Sequence, residues 1–258
     1  MLKQLSIALA LPLWLGLAAC DPEIEGGDDA GTAPDAGAAT AVCTEPTAVP
    51  CEDQLYLQLS LHDFISSGLV TDSESGGVHT ALIDATAGGM SGAPSQPYLY
   101  LKFTDDGLVK QQLSDDDALT SMDWHLAAKR YVVMVNSGDF GPSCVGATQV
   151  SGELEAVTSA PGGDVYELED FFTDGCVYVP DERYASGGFD SPNSVLREWW
   201  EFGNCVSTSG QVFVLQLEDG RHVKLVFDAY YESGQDDCND LGVMGSGSGM
   251  LTMRWAWL

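Results

Sequence analysis

Hydrophobic and polar residues alternate along much of the chain, and a period of two is the mark of half-buried β-strands. Leu55, Leu57, Leu59 and Leu61 alternate with Tyr56, Gln58, Ser60 and His62, which predicts an early strand. Tyr98 to Phe103 predicts another, followed by Asp105-Asp106-Gly107. Asp-Gly accepts the positive φ of a tight hairpin turn. Trp124 to Ala128 and Tyr131 to Val135 predict a strand pair or one long bent strand. Val212 to Leu217 and Val223 to Phe227 flank Asp219-Gly220, the clearest hairpin of the chain. At the C-terminus Leu251, Met253, Trp255 and Trp257 alternate with Thr252, Arg254 and Ala256. There is no long helical periodicity and no internal repeat. The predicted fold class is all-β, a single antiparallel domain over residues 43–258.

The first forty residues read differently. Lys3 is followed by an apolar run from Leu5 to Leu17 and then by Ala18-Ala19-Cys20. A short apolar stretch ending in small residues is a secretory signal, here residues 1–19. A cysteine directly after the small pair makes it a lipobox. The thiol takes a diacylglyceryl group before the peptidase cuts, and small residues fit the peptidase's subsites. The run is too short to span a bilayer comfortably. Cys20 is therefore the expected lipidation site, and two or three acyl chains anchor a protein stably where one does not. Residues 20–42 are rich in Gly, Ala, Asp, Thr and Pro and bury little, which predicts a disordered linker. The expected location is the bacterial cell envelope, at the outer membrane or cell surface ahead of the inner membrane.

Ten Lys plus Arg stand against thirty-nine Asp plus Glu, a net charge of −29. Such a surface repels phosphate backbones, which argues against nucleic acid as a partner. It offers no basic patch to anionic lipid, so the membrane link is covalent. Six cysteines remain beside Cys20: Cys43, Cys51, Cys144, Cys176, Cys205 and Cys238. An even number in an exported chain reads as a disulfide framework, with fifteen possible pairings. Proximity favours Cys43–Cys51. Around the Asp219-Gly220 turn, position 205 falls opposite about 234, which favours Cys205–Cys238 and leaves Cys144 for Cys176.

No GxSxG, HExxH, P-loop or GxGxxG occurs, and no catalysis is expected. Ser91 lies in a loop of small residues, where a serine is ordinarily only a loop residue. His62, His79, His125 and His222 show no metal-ligand spacing, and no metal site is expected. Ser114-Asp115-Asp116-Asp117 and the acidic stretch 235–240 lack the EF-hand pattern. Met90 and Met244 lie in Gly-rich loops. There a thioether can reach a soft metal or haem iron, and more often is simply an apolar loop residue.

Trp124-His125-Leu126-Ala127-Ala128-Lys129-Arg130-Tyr131, running into Asn136-Ser137-Gly138, resembles the signature of the HmuY family of bacterial lipoproteins. That signature has a Trp-Asp-hydrophobic-Ala core, then Arg-Tyr, then an Asn-x-Gly loop. Tyr100 to Phe103 stands where the family has an early strand. Residues 212–231 are similar to its C-terminal hairpin and 250–258 to its closing strand. The likeness covers about residues 97–258. It implies an antiparallel fold with loop projections, binding of haem or a related ligand, and transfer to an outer-membrane receptor. Family members hold the iron with two loop side chains, histidines in some and methionines in others. One ligand follows a Trp-x-Glu-Phe strand end. Here that is Trp199-Trp200-Glu201-Phe202, and Asn204 falls near the ligand position. The partner would come from about 173–194, which holds Tyr178 and Tyr184 but no His or Met. Tyrosinate can ligate haem, whereas asparagine does so poorly. The alternative expectation is a HmuY-fold binding or structural lipoprotein that has lost haem ligation. The signature residues themselves read as framework: Trp124 as core, Arg130 as a stem packed in place or paired with a carboxylate, Asn136 and Gly138 as turn residues.

Overall fold

The computed structural model describes residues 42–183 and 191–258, all within the compact unit Ala39–Leu258. Cys20, Tyr184 and the expected signal peptide lie outside the described residues, as does all of the linker before Val42.

In chain order the described elements are α1 (Glu52–Leu59), β1 (Val70–Ser75), β2 (Val78–Asp84), β3 (Leu99–Thr104), β4 (Gly107–Lys110) and α2 (Asp115–Ala118). There follow β5 (Leu126–Lys129), β6 (Val132–Val135), β7 (Gly146–Val150), β8 (Trp200–Phe202) and β9 (Val206–Thr208). The chain closes with β10 (Val212–Gln216), β11 (His222–Tyr231), α3 (Asp236–Leu241) and β12 (Ser248–Trp257). A six-stranded sheet has the order β1-β2-β12-β11-β10-β7, and a four-stranded sheet the order β4-β3-β5-β6. All pairings are antiparallel, as is the small β8–β9 ribbon. The all-β class is as expected.

Alternation sorts the strands onto two sides of each sheet. Leu99, Leu101 and Phe103 of β3, Val133 and Val135 of β6, Phe213 and Leu215 of β10, and Leu251, Met253 and Trp255 of β12 share one core between the two sheets. The intervening Tyr98, Tyr100, Ala127 and Met134 face a second cluster with Trp124, Phe140 and Phe171. Val212, Val214 and Val226 face a third with Leu154 and Val157. Strands β5 and β6 form a true hairpin rather than one bent strand, closed by Arg130 and Tyr131.

The early strand expected from the leucine alternation is a helix. Leu55 and Leu59, one helical turn apart, are buried in the second cluster, while Leu57 is 70% exposed. The outer face of the four-stranded sheet has apolar Tyr98, Tyr100 and Ala127 to cover, and one helical stripe covers it.

Two disulfide expectations fail. Cys43 bonds Cys144, and Cys51 bonds Cys176. The segment between Cys43 and Cys51 runs beside residues 142–144, where Thr47 donates its backbone N–H to Pro142 O over 2.8 Å. Its two ends therefore meet different partners and not each other. Cys205–Cys238 forms as the hairpin register implied.

Candidate ligand-binding cleft

Lys129 and Arg130 end β5 and turn the chain into β6. Lys129 is buried, and its Nζ donates to Leu59 O, Ser60 O and Gln96 O at 2.9–3.1 Å. It also lies 4.2 Å from the centre of the Tyr98 ring. Burial pulls its pKa down to about 8, against the pull of nearby Asp115. Arg130 has φ 58, a left-handed conformation unusual for a side chain of its size. Its Nη1 donates to Thr86 O and Ser248 O, and its Nη2 to Ser248 Oγ. Among the described residues no carboxylate pairs with it, and of the two sequence readings it is the packed stem that the structure shows. Its Nε is buried and has no hydrogen-bond partner among the described residues.

These two cations clamp the loops on either side. Residues 86–96 are held at one end by Arg130 and at the other by Lys129. Within that loop Gly92 packs on Gly88, so closely that a Cβ would come within 2.6 Å of Gly88 O. Met90 sits at the apex of this curl, 65% exposed. The loop after α3 is fixed by Cys205–Cys238 and by Val243 N donating to Asp237 O. Gly245 lies over Tyr231, where a Cβ would fall 2.7 Å from the ring. Met244 stands just before it, 60% exposed.

A cavity of about 160 Å³ brings the two loops together, lined by Met90, Arg130, Tyr131, Phe202, Tyr230 and Met244. Its walls are apolar. A neighbouring cavity of about 300 Å³ shares Met90, Arg130 and Tyr131 and continues along Leu59, Tyr98 and Lys129. The aromatic wall is braced from behind. Gln235 donates to Val206 O and accepts from Tyr230 N, and Val206 N donates to the Tyr231 hydroxyl. Burial holds the Tyr98 and Tyr230 phenols well above their ordinary pKa, so both stay protonated. Two hollows of about 510 and 330 Å³ occur over residues 167–198, with Asp170, Glu182 and Arg197 among their charged walls.

Of the positions carried over from the family resemblance, Tyr178 and Asn204 do not line either of the first two cavities, and Tyr184 lies outside the described residues. Tyr178 packs against Phe171 and Phe172, with ring centres 6.5 and 5.8 Å away. Asn204 is exposed in the β8–β9 turn, near Gly242 of the Met244 loop. The structure instead brings together Met90 and Met244, far apart in sequence. Their common signal was a thioether in a Gly-rich loop. Sequence reasoning missed Lys129 and the role of Arg130, because no period or motif marks a cation whose acceptors are loop carbonyls. Among the described residues no three His, Cys, Asp or Glu side chains converge on a metal position.

The HmuY protein family matches residues 53–240. The chain belongs to the HmuY family. Solved structures similar to it include a protein of Bacteroides vulgatus described as HmuY-like and heme-binding, at 17% identity over 73% of this chain and 96% of that one, with a TM-score of 0.46. A protein of Bacteroides fragilis described as a lipoprotein shares 16% identity over 75% and 95%, with a TM-score of 0.44. The apo HmuY analog of Tannerella forsythia shares 16% identity over 76% and 97%, with a TM-score of 0.36. No curated protein matches the chain. Within the HmuY signature, Trp124 is fully buried, with its Nε1 donating to Ala118 O. Asn136 donates to Ser121 O and Trp124 O and accepts from Ser143 N. Both are framework; the Arg130-Tyr131 turn is where the signature meets the cleft.

Proposed function

We propose that this HmuY-family chain is a lipid-anchored envelope protein that captures haem, or a related flat apolar ligand, and presents it to an outer-membrane receptor without catalysing a reaction. The observation that carries this reading is the pair of adjacent cavities that share Met90, Arg130 and Tyr131. Small-molecule sites are concave and mostly apolar with a few fixed polar groups, commonly ~300–1,000 Å³. The smaller cavity alone falls below that range, and the larger one extends it.

The residues fit a haem. Tyr131, Phe202 and Tyr230 offer an apolar wall for a macrocycle, and among the described residues the buried Nε–H of Arg130 lacks an acceptor of the kind a propionate would supply. Bound there, haem would supply an iron centre. Anchoring rests on the lipobox reading of Cys20, with the acidic surface leaving covalent lipid as the membrane link.

Titration of the purified full-length protein with ferric and ferrous haem tests capture. A Soret shift that saturates at one equivalent is expected. A flat titration in both oxidation states overturns the reading and favours the alternative, a HmuY-fold lipoprotein without haem ligation, which Asn204 at the family's ligand position supports.

A further inference from the structure

We propose that the tip of α3 and the loop after it form a docking surface for a second protein, one whose own contact face has an apolar hollow bordered by Lys or Arg. Leu241, Val243 and Met244 supply the apolar part of the surface, and Asp236, Asp237 and Asp240 the charged part. The inference rests on the presentation step of the reading above, not on haem capture, and names where and by what chemistry a receptor makes contact.

Three observations carry it. First, Leu241, Val243 and Met244 are 71%, 54% and 60% exposed, three large apolar side chains within four residues. A single exposed apolar residue needs no explanation, but a contiguous group marks a contact surface. Second, the surface is built rigid. Cys238, on the buried side of α3, is bonded to Cys205. Asn239 accepts from Thr208 N and donates to Thr208 Oγ1, and Gln235 donates to Val206 O. These bonds tie α3 to β9, and a fixed element gives up little freedom on docking. Third, the three carboxylates have no counter-charge within the described residues. Lys102, Arg183, Arg197, Arg221 and Arg254 are paired with other carboxylates. Lys110, Lys129, Arg130 and Lys224 donate to backbone carbonyls.

Charge decides between occupants. Carboxylates brought to an apolar contact without cations opposite them lose their hydration uncompensated. An anionic bilayer surface repels them. A second copy of this chain brings the same carboxylates and its own net charge of −29. A protein with basic residues around an apolar hollow matches both halves of the surface. Met244 stands at the junction, since it also lines the smaller cavity. A partner docked on α3 therefore meets the mouth of the cleft.

The test is photo-cross-linking of the full-length protein in the cells that produce it. The probe p-benzoylphenylalanine replaces Leu241 or Val243. As a control it replaces Val165, 43% exposed, whose neighbour Tyr166 packs on His222 at the far end of β11. A protein adduct is expected from positions 241 and 243 and not from 165, and the captured peptide should contain Lys or Arg. In a background of Asp236→Asn, Asp237→Asn and Asp240→Asn, with folding checked by circular dichroism, the yield should fall about fivefold, as the loss of three exposed ion pairs gives. Raised salt should lower the wild-type yield in the same direction. Adducts with lipid alone, adducts with a second copy of this chain, no adduct beyond that at 165, or a yield indifferent to both charge removal and salt would each overturn the inference. Haem titration of the same proteins reads capture separately. Specific cross-linking without haem binding leaves the docking surface standing and overturns capture, and haem binding without cross-linking does the reverse.

Discussion

Glu169 is a carboxyl group in the wrong solvent. It is 2% exposed, and its two oxygens accept from Val135 N at 2.9 Å and Val195 N at 3.2 Å. Those bonds and nearby Arg197 favour the anion, but burial outweighs them and raises the pKa from 4.5 to about 8. Between these values the folded state holds a proton that the unfolded chain has released. Stability contributed by that proton is therefore lost as pH rises from about 4.5 to about 8. At ~1.4 kcal/mol per unit, the change between pH 5 and pH 8 is on the order of 3–4 kcal/mol. For a domain of this size each kcal/mol moves Tm by ~2–4 °C, so the expected fall is about 10 °C. Glu169→Gln makes the group permanently neutral and should flatten this slope. Thermal melts of both proteins followed by circular dichroism at pH 5, 6, 7 and 8 give the comparison. Asp115, with its pKa raised to about 6 by burial, adds a slope of the same sign at the acid end. It is present in both proteins and cancels in the difference. A constant offset from the amide is also without consequence, because the slope is what is read. Parallel Tm curves for the two proteins would refute the assignment of a buried, protonated Glu169.

Three further outcomes are expected. Arg130→Gly relieves a left-handed side chain worth ~1–2 kcal/mol, but it removes hydrogen bonds from a charged donor worth ~1.5–3 kcal/mol each. A net loss of about 3 kcal/mol or more in urea unfolding should result, and a gain in stability would show that the guanidinium does not brace the loops. Leu55→Ala should cost ~2–5 kcal/mol and Leu57→Ala within about 0.5, read from the same unfolding curves. Equal costs would contradict the helix. Cys20→Ser should abolish labelled fatty-acid incorporation and release the protein from membranes, and a variant that still sediments with them would place the anchor elsewhere.

Strands were legible wherever a single residue sets which side is buried. In β3, β6 and β12 the alternation maps directly onto the clusters that receive each face. The Leu55–Leu61 run was ambiguous in kind. It contains an i, i+2 series and an i, i+4 pair, and what decides between them is the apolar outer face of a sheet built from residues far downstream. Disulfide pairing divides the same way. Cys205–Cys238 follows from a local hairpin, whereas Cys43–Cys144 and Cys51–Cys176 depend on where the N-terminal segment lies against the finished domain. The cleft was the least legible part. Carrying family positions onto Asn204 and Tyr178 led to an exposed turn and an aromatic cluster. The methionines could be noticed one by one, but only the fold shows that they share a wall.

The signature and the cleft are connected through the turn between β5 and β6. Lys129 and Arg130 are adjacent in sequence, yet the hairpin turn sends their side chains to opposite ends of one loop: Lys129 Nζ to Gln96 O, Arg130 Nη1 to Thr86 O. The loop carrying Met90 is thereby held at both feet. Arg130 also reaches Ser248, where the loop carrying Met244 enters β12. One turn thus fixes both thioether loops before any ligand arrives, which lowers the ordering cost that binding would otherwise meet. Using ammonium and guanidinium groups for this also makes physical sense. Loop carbonyls near an apolar hollow need donors, and a buried cation supplies several from a single side chain. It follows that the residues by which the family is recognised can persist as a frame while the loop sequences change, because the frame's acceptors are largely backbone oxygens, which any loop sequence provides.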